Sequence, residues 1–230
     1  MSDHENSKPL MDLYPFLHQK EKNPQQEKIT LLNSIKQKSD QSITIQKVFF
    51  EKNSGALLEM AQALADVYQH KGRMLAMGNG GSSCDAAHFC VEFQHPVTTG
   101  RPALPAINLL SDMAVTSAVA NDIGFKHVYA RQLCAHGQHG DGLIGFSTSG
   151  NSSNLMAGYA KAKELGITTF GLTGGNGGEM KHSGLVDHCL VVDSDSIHRV
   201  QEVHVACYHI LWDLTHTLLA DSRGKITKTK

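Results

Sequence analysis

The chain has 230 residues, of which 40% are hydrophobic and 19% are charged, and its formal net charge is -1. This composition is ordinary for one folded domain, and it argues against a sequence-independent nucleic-acid binder, which needs a basic excess to neutralise phosphates. No run of about 18 apolar residues occurs, and the polar start lacks the apolar segment of a signal peptide. We therefore expect a cytoplasmic protein with no nucleic-acid or membrane partner.

The two ends of the chain differ from its middle. Residues 1–28 are polar and contain three prolines, so we interpret them as a mobile extension. Residues 29–70 carry apolar residues at helical spacing, interrupted near Asn53, Ser54 and Gly55, which predicts two N-terminal helices. Residues 221–230 are interpreted as a solvated basic tail. The main domain is thus expected to span residues 29–220.

Between residues 73 and 220, five short apolar runs alternate with helical patterns. The runs are 74–77, 106–110, 143–146, 168–172 and 189–192. None alternates between apolar and polar residues, as expected for strands that are covered on both faces. Helices are expected at about 83–94, 113–120, 127–136, 152–165 and 197–219. Repeated strand–helix units predict an α/β fold, a three-layer α/β/α sandwich with a five-stranded parallel sheet, preceded by the N-terminal helices.

Three of the predicted strands end in loops rich in glycine or hydroxyl side chains. These loops are 78–83 (GNGGSS), 147–154 (STSGNSSN) and 173–178 (TGGNGG). All three should open on one edge of the sheet, where parallel sheets bind ligands. The second loop runs into a helix, so hydroxyls, free backbone N–H groups and a positive helix end together indicate a phosphate site. The alternative for that loop alone is an ordinary helix cap by Ser152. Neither a dinucleotide fingerprint nor a Walker loop is present.

Two helices carry candidate catalytic residues. His88 and Glu92 lie four residues apart, so their side chains share a helix face and can bind a metal or share a proton. The alternative is a solvated pair without function. The last helix carries Gln201, Glu202 and His209. Helical geometry aligns Glu202 with His209 at least as well as Gln201, so the periodicity does not choose between them.

The segments that carry these features stand in a recognisable order. They are 78–82 (GNGGS), Asp85 and Ala86, His88 and Phe89, Glu92, Asn121 and Asp122 with Gly124 and Phe125, 147–152 (STSGNS), 172–174 (LTG) and 201–204 (QEVH). In this order they resemble the sugar isomerase (SIS) domain family and, within it, the phosphoheptose isomerases. The resemblance covers roughly residues 31 to 220.

The resemblance implies a set of site residues, a zinc ion and a homotetramer. The implied phosphate ligands are Ser82, Ser147, Thr148, Ser149 and Ser152. The implied sugar contacts are Asn79, Gly80, Gly81, Glu92, Asn121, Asp122 and Gln201. The implied zinc ligands are His88, Glu92, Gln201 and His209, with Glu92 and His209 also serving as the proton-transfer pair.

By the same resemblance, the chain converts sedoheptulose 7-phosphate to D-glycero-D-manno-heptose 7-phosphate through a cis-enediol. This chemistry needs one base and one acid beside the same two carbons, which are the roles expected of Glu92 and His209. Two alternatives are an isomerase of another sugar phosphate and a non-catalytic scaffold that resembles the replication-initiation regulator of the same fold. The presence of both Glu92 and His209 favours an enzyme. Whether His198 or Glu202 joins the site stays open.

Overall fold

The computed structural model describes residues 23–227, with side chains described for residues 23–220. The helices are α1 (Pro24–Gln69), α2 (Gly81–Gln94), α3 (Met113–Asp122), α4 (Val128–His136), α5 (Ser153–Glu164), α6 (Gly178–His182) and α7 (Ile197–Thr227), and a short 3-10 helix covers Phe125–His127. The strands are β1 (Met74–Gly78), β2 (Ala106–Asn108), β3 (Gly142–Ser147), β4 (Thr168–Gly174) and β5 (His188–Val192). Most of the expected extension, residues 1–22, and residues 228–230 of the tail lie outside the described residues.

One continuous helix, α1, stands where two helices were expected, so the predicted break is wrong. The side-chain amide of Asn53 donates to the carbonyl of Phe49 over 2.8 Å, and the Ser54 hydroxyl donates to the carbonyl of Phe50. Both polar side chains therefore bond to the preceding helical turn instead of ending the helix. A Cβ atom on Gly55 would meet no atom within 4 Å, so this glycine weakens the helix only through backbone entropy.

Both long helices also extend beyond their predicted ends. Residues 24–28 were assigned to the extension, but α1 begins at Pro24, and the Asn23 side-chain oxygen accepts a hydrogen bond from the backbone N–H of Gln25 over 3.0 Å. Proline at the first helical position after asparagine is a start signal that the interpretation missed. Residues 221–227 were assigned to the tail, but their backbone continues α7. No proline interrupts that segment, and its one glycine costs only about 1 kcal/mol in a helix.

The sheet confirms the predicted architecture. Its five strands are all parallel, in the order β2-β1-β3-β4-β5. One apolar core is formed by one face of the sheet, helices α2 and α7 and residues 49–68 of α1. A second core lies between the other face and helices α4 and α5. The strand order reverses between β1 and β3, where Gly78 pairs with Phe146. Ligands of open α/β sheets bind in the crevice at such a reversal, so the loops after β1 and β3 flank the expected ligand position.

Two short features were not anticipated. α6 is a five-residue helix that directly follows the third glycine-rich loop and is too short to leave a periodic pattern. β2 ends at Asn108, two residues before its predicted end. Among the described helices, none is both long enough and apolar enough to cross a membrane.

Candidate active site

The loop that follows β3 is shaped by its own hydroxyl groups. The buried Ser147 hydroxyl accepts a hydrogen bond from the backbone N–H of Gly150 over 3.1 Å and lies 3.3 Å from the Ser152 hydroxyl. Ser152 occupies the N-cap position of α5, but its side chain makes no capping hydrogen bond. The alternative of a simple serine cap therefore does not describe this loop. Its hydroxyls and the positive end of α5 form a cradle suited to an anion.

The loop after β3 (residues 147–154, the hydroxyl loop) is supported by the third glycine-rich loop and by α6, which follows it. The backbone N–H of Met180 donates to the carbonyl of Gly150, and that of Glu179 donates to the side-chain oxygen of Asn151, both over 3.0 Å. Gly150 has a positive φ of 67°, and a Cβ atom there would lie 2.1 Å from the carbonyl oxygen of Gly177. Only glycine therefore permits this approach of the two loops.

A cavity of about 470 Å³ opens between these two loops and the start of α7. Its lining includes Thr148, Ser149, Asn176, Ser194 and Asp195. Two of the implied phosphate ligands, Thr148 and Ser149, thus face open space large enough for a small molecule. His88, Glu92 and His209 do not line this cavity.

The first glycine-rich loop is joined to α5 by a pair of amides. Asn79 donates to the side-chain oxygen of Asn154 over 2.8 Å, and Asn154 donates back to that of Asn79 over 2.9 Å. The Tyr129 hydroxyl donates to the carbonyl of Gly78 over 2.5 Å and lies 3.2 Å from the same oxygen of Asn79. The Asn79 side chain thus links the first glycine-rich loop to α5 and α4. Its partners Asn154 and Tyr129 were missed by the sequence interpretation.

Helices α2 and α7 bring His88, Glu92 and His209 together. One ligand atom from each of these side chains lies within 4.8 Å of the other two. His88 Nε2 is 3.0 Å from Glu92 Oε1, and the two imidazole rings are 5.1 Å apart with an edge-on geometry. Two imidazoles and a carboxylate are ligands that zinc prefers, so these residues fit the implied ion.

Gln201 and Glu202 have different neighbours in the structure. A Cβ atom on Gly81 would lie 2.3 Å from Gln201 Nε2, so the Gln201 amide rests against the first residue of α2. Glu202 instead forms an ion pair with Arg199 over 2.7 Å. His198 is exposed and does not belong to the group of possible metal ligands found among the described residues.

Two further side chains surround His88. The Tyr208 hydroxyl lies 2.6 Å from His88 Nδ1, and burial together with the carboxylates of Asp85 and Glu92 raises the pKa of Tyr208. Burial raises the pKa of Asp85 to about 6, although nearby His88 lowers it. Asp85 Oδ2 is buried without a hydrogen-bond partner among the described residues. The surroundings that Tyr208 and Asp85 provide for His88 are therefore buried and poorly hydrated.

Asn121 and Asp122 lie apart from these residues. They are exposed at the end of α3, and the Asn121 amide donates to the Asp122 carboxylate over 2.9 Å. Within residues 23–220, neither makes a hydrogen bond to another candidate residue. Their assignment as sugar contacts stays a prediction from the resemblance.

Comparisons with known proteins identify the family of this chain. The SIS domain family matches residues 39–174. A phosphoheptose isomerase from Aneurinibacillus thermoaerophilus is 40% identical over 172 residues, which cover 75% of this chain and 85% of the relative. One from Helicobacter pylori strain P12 is 44% identical over 157 residues, which cover 68% and 81%.

A solved structure extends the likeness to three dimensions. The phosphoheptose isomerase from Francisella tularensis superposes with a TM-score of 0.77 at 32% identity, covering 81% of this chain and 98% of that one. Sequence and fold therefore agree over most of both chains. The chain belongs to the SIS domain family and, within it, to the phosphoheptose isomerases.

Proposed function

We propose that the protein is an aldose–ketose isomerase that converts sedoheptulose 7-phosphate to D-glycero-D-manno-heptose 7-phosphate. The observation that carries the proposal is the convergence of His88, Glu92 and His209 in a chain of this family. α2, which carries His88 and Glu92, begins at Gly81 in the first glycine-rich loop, to which the proposal assigns contacts with the sugar.

The phosphate end of the substrate is assigned to the hydroxyl loop. The proposed ligands are Ser82, Ser147, Thr148, Ser149 and Ser152, and the proposed sugar contacts are Asn79, Gly80, Gly81, Asn121, Asp122 and Gln201. The hydrogen bonds from α6 to this loop favour a fixed phosphate position. Holding the phosphate fixes the reacting carbons beside the acid–base pair, which makes proton transfer effectively intramolecular.

Proton transfer is assigned to Glu92 and His209. The Glu92 carboxylate removes a proton from the carbon beside the carbonyl, while His209 donates a proton to the carbonyl oxygen, giving a cis-enediol. The former carbonyl carbon then receives a proton, and the hydroxyl on the carbon that was deprotonated first loses its proton, so the carbonyl moves to that carbon. His88 Nε2 lies 3.0 Å from Glu92 Oε1, so this imidazole holds the carboxylate in place when no cation lies between them.

Zinc is the proposed cofactor. His88, Glu92 and His209 would hold it, with the side-chain oxygen of Gln201 as a fourth ligand. When bound, the ion supplies positive charge that stabilises negative charge on the enediol oxygens.

The proposed assembly is a homotetramer in the cytoplasm. α1 exposes a series of large apolar side chains, which include Ile29, Leu31, Leu32, Ile35 and Ile43. Apolar side chains repeated along one helix in this way are typical of surfaces that pack against another chain. The proposed ligand is a small sugar phosphate, without a nucleic-acid or membrane partner.

A coupled isomerase assay with five-, six- and seven-carbon ketose phosphates tests the function. We expect the highest kcat/KM with the seven-carbon substrate. A higher value for a shorter sugar would favour the first alternative, an isomerase of another sugar phosphate. Lack of turnover with every sugar would favour the non-catalytic scaffold.

A further inference from the structure

Tyr208 stands directly behind His88, on the side away from Glu92. Its hydroxyl oxygen is 2.6 Å from His88 Nδ1, and the two rings meet edge-on with centroids 5.2 Å apart. Tyr208 is only 1% exposed, and its ring also packs against Phe146 of β3 and His209 of α7. The phenol is therefore held firmly by its surroundings.

Both nitrogens of His88 are consequently engaged. Nε2 faces Glu92 over 3.0 Å, and Nδ1 faces Tyr208 over 2.6 Å. A neutral imidazole has one donor and one acceptor, whereas a phenol hydroxyl can donate or accept. When Nε2–H donates to Glu92, the Tyr208 hydroxyl must donate to Nδ1. When the Nε2 lone pair is engaged by a cation, Nδ1–H can donate to the same phenol oxygen. Tyr208 therefore satisfies His88 in both protonation patterns.

None of the other tyrosines described by the structure forms a hydrogen bond with a histidine. Tyr129 and Tyr159 donate to backbone carbonyls, those of Gly78 and Phe170, and the buried Tyr68 hydroxyl has no partner among residues 23–220. Burying a hydroxyl costs free energy unless it is hydrogen-bonded, and phenylalanine would fill the core equally well. The Tyr208 hydroxyl is thus explained by its bond to His88 better than by packing.

We propose that Tyr208 is a positioning residue that fixes the orientation of His88 so that Nε2 faces Glu92 and His209. The inference rests on the proposed function, because it assigns His88 to the catalytic group. Tyr208 acts only through His88, since its hydroxyl lies on the opposite side of the imidazole from Glu92. Groups that hold the second nitrogen of a metal-binding histidine typically change metal affinity by about 10- to 100-fold when removed.

The test compares Tyr208→Phe with Tyr68→Phe, which removes a buried hydroxyl that has no partner in the described part of the chain. Zn²⁺ affinity is measured by competition with a chromophoric chelator. Nitrogen-15 NMR of the metal-free proteins reports the ring nitrogens of His88, assigned by their loss in His88→Gln. We expect Tyr208→Phe to weaken Zn²⁺ binding about 10- to 100-fold and to move the Nδ1 resonance of His88. Tyr68→Phe should leave both unchanged.

The outcomes separate this inference from the proposed function. Zn²⁺ affinity and His88 resonances that both stay unchanged in Tyr208→Phe would overturn the inference. If the unsubstituted protein binds no Zn²⁺, the His88 resonances alone test the inference. Resonances that stay unchanged in Tyr208→Phe would then overturn it. Failure of the proposed function would appear instead as an unsubstituted protein that isomerises no sugar phosphate, whatever happens at His88. Thermal unfolding of both variants establishes that each is folded.

Discussion

His204 shows how burial sets the protonation of a single side chain. It is 1% exposed, its Nε2 lies 3.4 Å from the carbonyl oxygen of Thr173, and burial lowers its pKa to about 4. An unfolded histidine has a pKa of about 6.5, so the unfolded chain binds more protons between these two values. The stability that neutral His204 contributes is therefore present above about pH 6.5 and is lost as the pH falls toward 4.

This loss predicts the behaviour of His204→Gln, which keeps a polar side chain but cannot titrate. Between pH 7.5 and pH 5, the unsubstituted protein should lose about 2 kcal/mol more unfolding free energy than the variant. Urea denaturation at both pH values, with chelator present, gives the loss of unfolding free energy for each protein. Because burial raises the pKa of Asp85 in the same range, with an effect of opposite sign, only the comparison between the proteins is informative. Parallel pH profiles of the unfolding free energy for the two proteins would contradict the lowered pKa of His204.

At the scale of elements, the Asn79–Asn154 amide pair joins the first glycine-rich loop to α5. Asn154→Ala leaves the partly buried amide of Asn79 with fewer partners, so we expect a loss of about 1 to 3 kcal/mol in unfolding free energy. The KM for the sugar phosphate should rise, because the hydroxyl loop leads into the same helix. A double-mutant cycle with Asn79→Ala measures the coupling, and fully additive effects would show that the pair is not an energetic unit.

The continuity of α1 makes a separate prediction at Gly55. Since a Cβ atom there meets nothing within 4 Å, Gly55→Ala should raise the free energy of unfolding by about 0.5 to 1 kcal/mol. Gly55→Pro, which removes a helical hydrogen bond, should lower it. Chemical denaturation measures both changes. A destabilising alanine would mean that the chain turns at this position, as the sequence pattern had indicated.

The local sequence pattern predicts the sheet, most of the helices and the pairing of His88 with Glu92 on one helix face. Unalternating apolar runs and helical spacing contain the information for strands and helices. The break near Gly55 was predicted wrongly, because local turn chemistry does not include the hydrogen bonds that Asn53 and Ser54 make inside a helix.

The local sequence pattern does not predict contacts between residues that are distant in sequence. Asn79 and Asn154 are 75 residues apart, and His88 and Tyr208 are 120 apart. Periodicity reports which face of an element a residue occupies, but not which side chain of another element it meets. Likewise, the periodicity did not show that Gln201 lies against Gly81 of α2 while Glu202 pairs with Arg199.

At the scale of the whole molecule, the proposed tetramer is open to direct measurement. Light scattering of the purified protein should give a mass of four chains of 25.0 kDa each. Leu32→Asp with Ile35→Asp places charge on the exposed apolar face of α1 and should reduce the mass. The control Gln37→Asp, at an exposed position about 140° to 160° around the helix from these two residues, should not. A monomeric mass for the unsubstituted protein would contradict the proposed assembly.

The central claim is that a phosphate-anchored sugar is isomerised by proton transfer through Glu92. The most direct measurement combines steady-state isomerisation of sedoheptulose 7-phosphate with calorimetric binding of a non-isomerisable sugar phosphate, for the unsubstituted protein and for Glu92→Gln. Because glutamine cannot act as a base, kcat should fall by about 10²- to 10⁴-fold, while binding of the phosphate ligand stays within about threefold. Full isomerase activity in Glu92→Gln would contradict the account.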